Sequence, residues 1–184
     1  LDLDNSTIAG NKGHGVYIDE TSLNAVNSIF WDNEVAGLQD EFAQISTDPN
    51  ATVSFSCVEG GWTGNGSTNI GADPLFTTPI NPADSPTAVG DFTLQIASPA
   101  INTGNTGSLQ TDVSDVDGDG NDTEIIDIDL AQNARVQLSI LDMGAYEASE
   151  SCNVESTTAS WTGATDTDWN TPSNWCPYFV PTTN

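Results

Sequence analysis

Leu1-Asp-Leu-Asp-Asn-Ser6 returns as Leu23-Asn-Ala-Val-Asn-Ser28, and the reading of that return decides the fold. Asn11 comes back as Asn33, and Gly15-Val16 as Gly37-Leu38, each time 22 positions later. Self-similarity at a fixed period of ~20–50 residues marks a solenoid, because one repeat cannot bury its apolar face alone and must stack on its neighbours. The segments inside the repeat are short and rich in strand formers: Gly15-Val-Tyr-Ile18, Leu23-Asn-Ala-Val26, Ser28-Ile-Phe-Trp31 and Thr52-Val-Ser-Phe-Ser-Cys-Val58. Gly, Asn and Asp separate them, as strand breakers do. The expectation is an all-β chain forming a parallel β-helix.

A third copy aligns with Ser28 on Ser56 and Ile29 on Cys57, an offset of 28. About six residues are therefore inserted, and the expected place is Glu41–Asn50, where Asp48-Pro49-Asn50 reads as a turn. Solenoid loops tolerate such insertions because loop-closure entropy grows slowly with length. Stacked repeats would set Asn5 over Asn27 and Asn11 over Asn33, with the amides bonding along the axis. Asn also accepts the left-handed backbone of a tight corner. A structural ladder is the favoured reading over a binding site.

Residues 59–72 are Gly-rich and read as a loop. Phe92 and Leu94 alternate with polar residues, as in a half-buried strand. Residues 59–147 are expected to be the last coils and the closing cap that a solenoid end requires. The division is then 1–147 for coils and cap, 148–155 for a linker, and 156–184 for the start of a second, truncated β module. Trp161, Trp169 and Trp175 announce that module, either as packed core or as a sugar-binding platform. The chain opens within a repeat and stops within another motif, so it reads as part of a longer protein.

The 184 residues carry Lys+Arg 2 against Asp+Glu 27, a net charge of −25. That balance excludes nucleic acid, whose phosphates need clustered cations, and excludes docking on anionic lipid. It favours solubility and divalent cations. No stretch approaches the ~18 apolar residues of a membrane span, and no signal peptide is present in the sequence given.

Asn69-Ile-Gly-Ala-Asp-Pro-Leu-Phe76, Gly90-Asp-Phe-Thr-Leu-Gln95, Ser98-Pro-Ala-Ile-Asn102 and Asp142-Met-Gly-Ala-Tyr-Glu147 occur in that order. Together they resemble the choice-of-anchor Q proteins, secreted bacterial right-handed parallel β-helices of the pectate-lyase-like superfold. The likeness covers roughly residues 1–147. It implies export and a surface anchor, and no defined activity. Ala131-Gln-Asn-Ala-Arg135 departs from the Gly-Asn-Pro-Arg turn of that family. The tail from Trp161 to Pro181 is similar to repeats of large adhesin-like secreted proteins.

The strongest chemical constellation is Asp115-Val-Asp-Gly-Asp-Gly-Asn-Asp-Thr-Glu124. Asp115, Asp117 and Asp119 alternate, and Gly120 supplies a sharp turn, as in the first half of a calcium loop. Asn121 and Glu124 complete the candidate Ca²⁺ ligands, although Ile126 stands where a bidentate Glu is usual and Asp127 is an alternative. The competing reading is a solvated acidic loop. Packed carboxylates favour a cation, since like charges 4 Å apart repel by about 1 kcal/mol even in bulk water. Calcium would serve a structural role.

No catalytic residue is assigned. Lyase chemistry on acidic sugars needs a cation near the substrate, and only Lys12 and Arg135 exist. A hydrolase needs paired carboxylates in a cleft, and no spacing singles out Asp19, Asp32 or Asp40. His14 lacks a second histidine and reads as an exposed turn residue. Cys57 reads as an inward, buried thiol, while Cys152 and Cys176 could pair in an exported protein. The expected role is a structural or adhesive, extracellular, cell-surface segment that meets a surface glycan or another extracellular ligand. The rivals are the end of a carbohydrate-active enzyme, with its catalytic coils upstream, and a glycan-binding module without chemistry.

Overall fold

The computed structural model describes residues 1–19, 21–46, 51–137, 140–148, 160–161, 168–171 and 175–176. They are mostly strands and irregular chain with almost no helix. The chain divides into two compact units, Leu1–Ala148 and Ser149–Asn184.

Three parallel sheets organise the first unit. Strands β1 (Asp2–Asp4), β4 (Asn24–Val26) and β7 (Thr52–Ser54) form one, with Leu3 beside Ala25 and Ala25 beside Val53. Strands β2 (Thr7–Ala9), β5 (Ile29–Trp31) and β8 (Cys57–Val58) form the second, with Ile8 beside Phe30 and Phe30 beside Val58. Strands β3 (Val16–Tyr17) and β6 (Ile45–Ser46) form the third. The 22- and 28-residue offsets read from the sequence are thus the registers of the first two sheets.

The third sheet breaks the sequence match. Val16 pairs with Ile45, not with Leu38. Val16 and Ile45 are buried, while Leu38 is 61% exposed. Ala36 and Gly37, at φ 53° and 83°, make a two-residue turn in which Val35 and Leu38 exchange backbone bonds of 3.0 Å. Two successive positive φ values suit such a hairpin. The insertion therefore lies between Glu34, still in register with Lys12, and Ile45. It is filled by that turn and by helix α1 (Glu41–Gln44), N-capped by Asp40. This corrects the placement at Glu41–Asn50; residues 47–50, with the expected turn, lie outside the described set.

Corners and ladders fix the stacking. Asn5, Asn27 and Phe55 are left-handed at one corner, and Gly10, Asp32 and Gly60 at the next. Ser28 Oγ accepts from Ser6 N, and Ser56 Oγ from Ser28 N, both at 3.1 Å. Asn11 Nδ2 donates to Asn33 Oδ1 at 2.8 Å, and Asn33 Nδ2 to Gln44 Oε1 at 2.7 Å. The Asn11/Asn33 ladder is as expected. Asn27 instead turns its amide to Asn105, so Asn5 and Asn27 share a corner conformation without a side-chain bond.

The Gly-rich stretch is more than a loop. Residues 65–70 add a fourth parallel layer: Thr52 pairs with Asn65, Cys57 with Ile70, and Ser56 N donates to Asn69 Oδ1 at 3.0 Å. Trp62 packs against the core beneath.

Alternation along β5 decides the rest. Phe30 enters a core of Val16, Leu23, Ala25, Ile45, Val53 and Val58. Its neighbours Ile29 and Trp31 point the other way, with Cys57, into a second core against Phe76, Leu94, Ala100 and Met143. Cys57 is buried as expected, but on this outer face. Burial, then Asp73 and Glu59, push its thiol up to about 12. The segment 73–148 supplies this second core with the antiparallel pair β9 (Phe76–Thr78) and β10 (Asp91–Leu94). It reaches Thr7 through Ala145, Asn27 through Gly144 and Asn105, and Gly10 through Ile80. It therefore covers the flank of several layers, which corrects the expected end cap.

In the second unit, β11 (Ser160–Trp161) pairs antiparallel with β12 (Trp175–Cys176). Trp175 is buried, donates Nε1 to Trp169 O at 2.8 Å and meets the Trp169 ring edge-on. The linker expected at 148–155 lies, after Ala148, outside the described residues, as does Cys152 of the suggested disulfide.

Candidate metal centre

The acidic loop is closed at its base by antiparallel pairing of Thr111 with Ile125. Asp112 N donates to Glu124 O at 2.8 Å, and Ile126 N to Gln110 O at 2.9 Å. Inside this frame Asp115, Gly118 and Gly120 take left-handed φ values, so the chain folds back on itself repeatedly. Glycine makes two of those reversals free of Cβ strain. Asp115 Oδ1 accepts from Gly120 N at 3.1 Å, and Asp119 N donates to Asp117 Oδ1 at 3.1 Å.

Two groups of carboxylates result, sharing Asp117. Asp115, Asp117 and Asp119 form an exposed one; Asp112, Asp117 and Glu124 form a deeper one. Within each, one oxygen per residue lies within 4.8 Å of the others. Asp112 is 2% exposed, and both its oxygens accept from Val116 N. Both Glu124 oxygens are shut from water and lack a hydrogen-bond partner among the described residues. Desolvation, then Asp119, Asp117 and Asp112, raise the pKa of Glu124. Unpartnered buried acceptors amid like charges fit a hard cation, which supplies the missing positive charge to an all-oxygen donor set.

Four of the five ligands expected from sequence, Asp115, Asp117, Asp119 and Glu124, fall within these groups. The fifth, Asn121, lies in the same loop, where its Oδ1 accepts from Thr123 N and Oγ1. Asp112 was missed because it precedes the alternating motif; only the pairing across the loop base brings it to Glu124.

The other candidates for chemistry do not converge. Arg135 is 2% exposed, donates to Gly144 O, and lies among buried Asp129, Asp142 and Glu147. Burial lowers its pKa and the three carboxylates oppose that. Glu147 is pushed up to about 8, first by burial. Asp40 caps α1 and Asp32 occupies a corner. His14, expected as an exposed turn residue, is half-buried between the exposed Tyr17 and Phe42, with Nδ1 donating to Phe42 O at 2.9 Å. Among the described residues no helix is long and apolar enough to cross a membrane.

Comparisons with protein-family models, with curated proteins and with solved structures return no match.

Proposed function

We propose that residues 1–148 are the end of a right-handed parallel β-helix with a flanking buttress, followed by the start of an adhesin-like β module. The whole is an exported, cell-surface segment whose role is structural and adhesive, and it is not an enzyme. The observation that carries this reading is the register: Leu3, Ala25 and Val53 in one file, Ile8, Phe30 and Val58 in another. Such files build a rod that presents surfaces. The burial of Arg135 supports the non-catalytic part, since a guanidinium held against Gly144 O cannot meet a polyuronate. The likeness of the motifs between Asn69 and Glu147 to choice-of-anchor Q proteins supports export.

The acidic loop takes calcium in this proposal. A flexible, carboxylate-rich site of mixed depth suits Ca²⁺ better than Mg²⁺, which demands a near-ideal octahedron. Extracellular sites of this kind bind at ~10⁻⁴–10⁻³ M. The test of function incubates the chain with surface polysaccharides, reading retention and new chain ends together. Retention without new ends is expected. New reducing or unsaturated ends would establish an enzyme instead.

A further inference from the structure

The outer face of the sheet β1–β4–β7 is a groove that neither the stacking nor the acidic loop uses. Its floor consists of side chains that alternate away from the core, with Asp4, Val26 and Ser54 in one row and Asn24 beside them. Its wall is the segment from Asn105 to Gln110. That wall is fixed at the sheet corner by two bonds: Asn105 N donates to Asn27 Oδ1 at 2.7 Å, and Asn27 Nδ2 to Asn105 O at 3.2 Å.

Two features of the groove lack a structural account. Asp4 Oδ1 is closed to water and has no hydrogen-bond partner among the described residues. A buried acceptor of this kind is costly unless a donor meets it. Phe55, at φ 50°, stands where the other layers carry Asn5 and Asn27 at φ 47° and 53°. Asn accepts that backbone easily and a bulky aromatic does not, so the ring is kept there at a strain cost. The ring lines the groove and is only partly buried.

We infer that this groove binds an extended neutral glycan, with a sugar face on Phe55 and hydroxyls on Asn24, Ser108 and Gln110. This rests on the adhesive reading and names the ligand class and site for it. Amide and hydroxyl groups both donate and accept, as sugar hydroxyls require. The rows lie at the strand spacing of ~4.8 Å, so the groove runs along one axis across three strands. That suits a polymer more than an isolated small molecule. Asp4 on the floor, with the net charge of −25, repels uronates and sulfated chains.

The test titrates the full chain, by calorimetry, with neutral gluco-, manno- and galacto-oligosaccharides and with oligouronates of equal length. Neutral oligomers are expected to bind, and a chelator to leave that binding unchanged. Phe55→Asn keeps the left-handed corner and removes the ring; Gln110→Ala alters an exposed side chain. Each is expected to weaken binding roughly tenfold without lowering the melting temperature. Equal binding by both variants overturns the groove and leaves the adhesive reading in place. No binding across the neutral panel, or a preference for uronates, also overturns the groove. Cleavage of a bound oligomer, with binding still lost in the variants, supports the groove while contradicting the non-catalytic reading.

Discussion

Residues 1–58 and the flanking segment 73–148 bury polar groups by opposite means. In the stacked strands the buried polar side chains are uncharged: Ser28, Ser56 and Asn33, each bonded one layer away, and Gln44, which bonds Asn33 within their own layer. In the flank they are mostly ionisable: Asp112, Asp129, Asp142, Glu147 and Arg135, with Ser98 the exception. Asp129 alone accepts from Ala131 N, Asn133 N, Asn133 Nδ2 and Glu147 N, all within 3.2 Å. Repetition satisfies a polar group by translation, because the next layer always offers a complementary atom. An irregular chain has no such partner, and carboxylates, with two acceptor oxygens each, gather its stray backbone N–H groups. The difference has a consequence: the flank should respond to pH and metal more than the stack, whose raised carboxylates are Asp4 and Asp32.

The largest effect expected is from Phe30→Ala, which empties the centre of the stacked core and should cost about 3–5 kcal/mol in urea unfolding. A loss under 1 kcal/mol would mean that the stack is not the frame. Asn33→Ala comes next. It removes the amide that bonds Asn11 Nδ2, Ile8 O and Gln44 Oε1 at once, and should cost roughly 2–3 kcal/mol.

Glu147 addresses the flank. Its folded pKa of about 8 exceeds the unfolded value near 4.5, so its contribution is full below the lower value and is lost as pH rises through the upper one. The melting temperature should fall from pH 5 to pH 9, and Glu147→Gln should flatten that fall. An unchanged slope in the variant would exonerate this residue. Calcium at ten times its Kd should add about 1.4 kcal/mol, a rise of roughly 3–6 °C in melting temperature. Asp112→Asn and Asp117→Asn should abolish the rise and Asn121→Ala should retain it; a rise that survives in Asp117→Asn removes the metal assignment. The smallest effect separates two leucine-sized residues. Leu38→Ala should stay within about 0.5 kcal/mol, whereas Ile45→Ala should cost about 2–5 kcal/mol.

That last pair shows how far the sequence could be read. The registers of the first two sheets were legible because Asn5/Asn27 and Ser6/Ser28/Ser56 repeat by identity. The third sheet was not, because Gly37-Leu38 imitates Gly15-Val16 while serving a hairpin turn. Burial, not residue type, tells Leu38 from Ile45. The second corner was hidden because Gly10, Asp32 and Gly60 share a backbone conformation and not a side chain. The flank was mistaken for a cap because Ile29 and Cys57 alternate to the outer face of their sheet, and only the structure reveals what covers them. In the acidic loop the alternating motif announced Asp115, Asp117 and Asp119. Asp112 stayed invisible because its partnership with Glu124 is made across the chain, not along it.

Residues a single repeat apart lie side by side in parallel files, and proton–proton distances across Leu3, Ala25 and Val53 address that arrangement most directly. Nuclear Overhauser contacts should link the amide and α protons of Leu3 to Ala25 and of Ala25 to Val53, in the staggered pattern of parallel strands. Close α-proton pairs between these strands, or contacts joining Ala25 to neither, would contradict it.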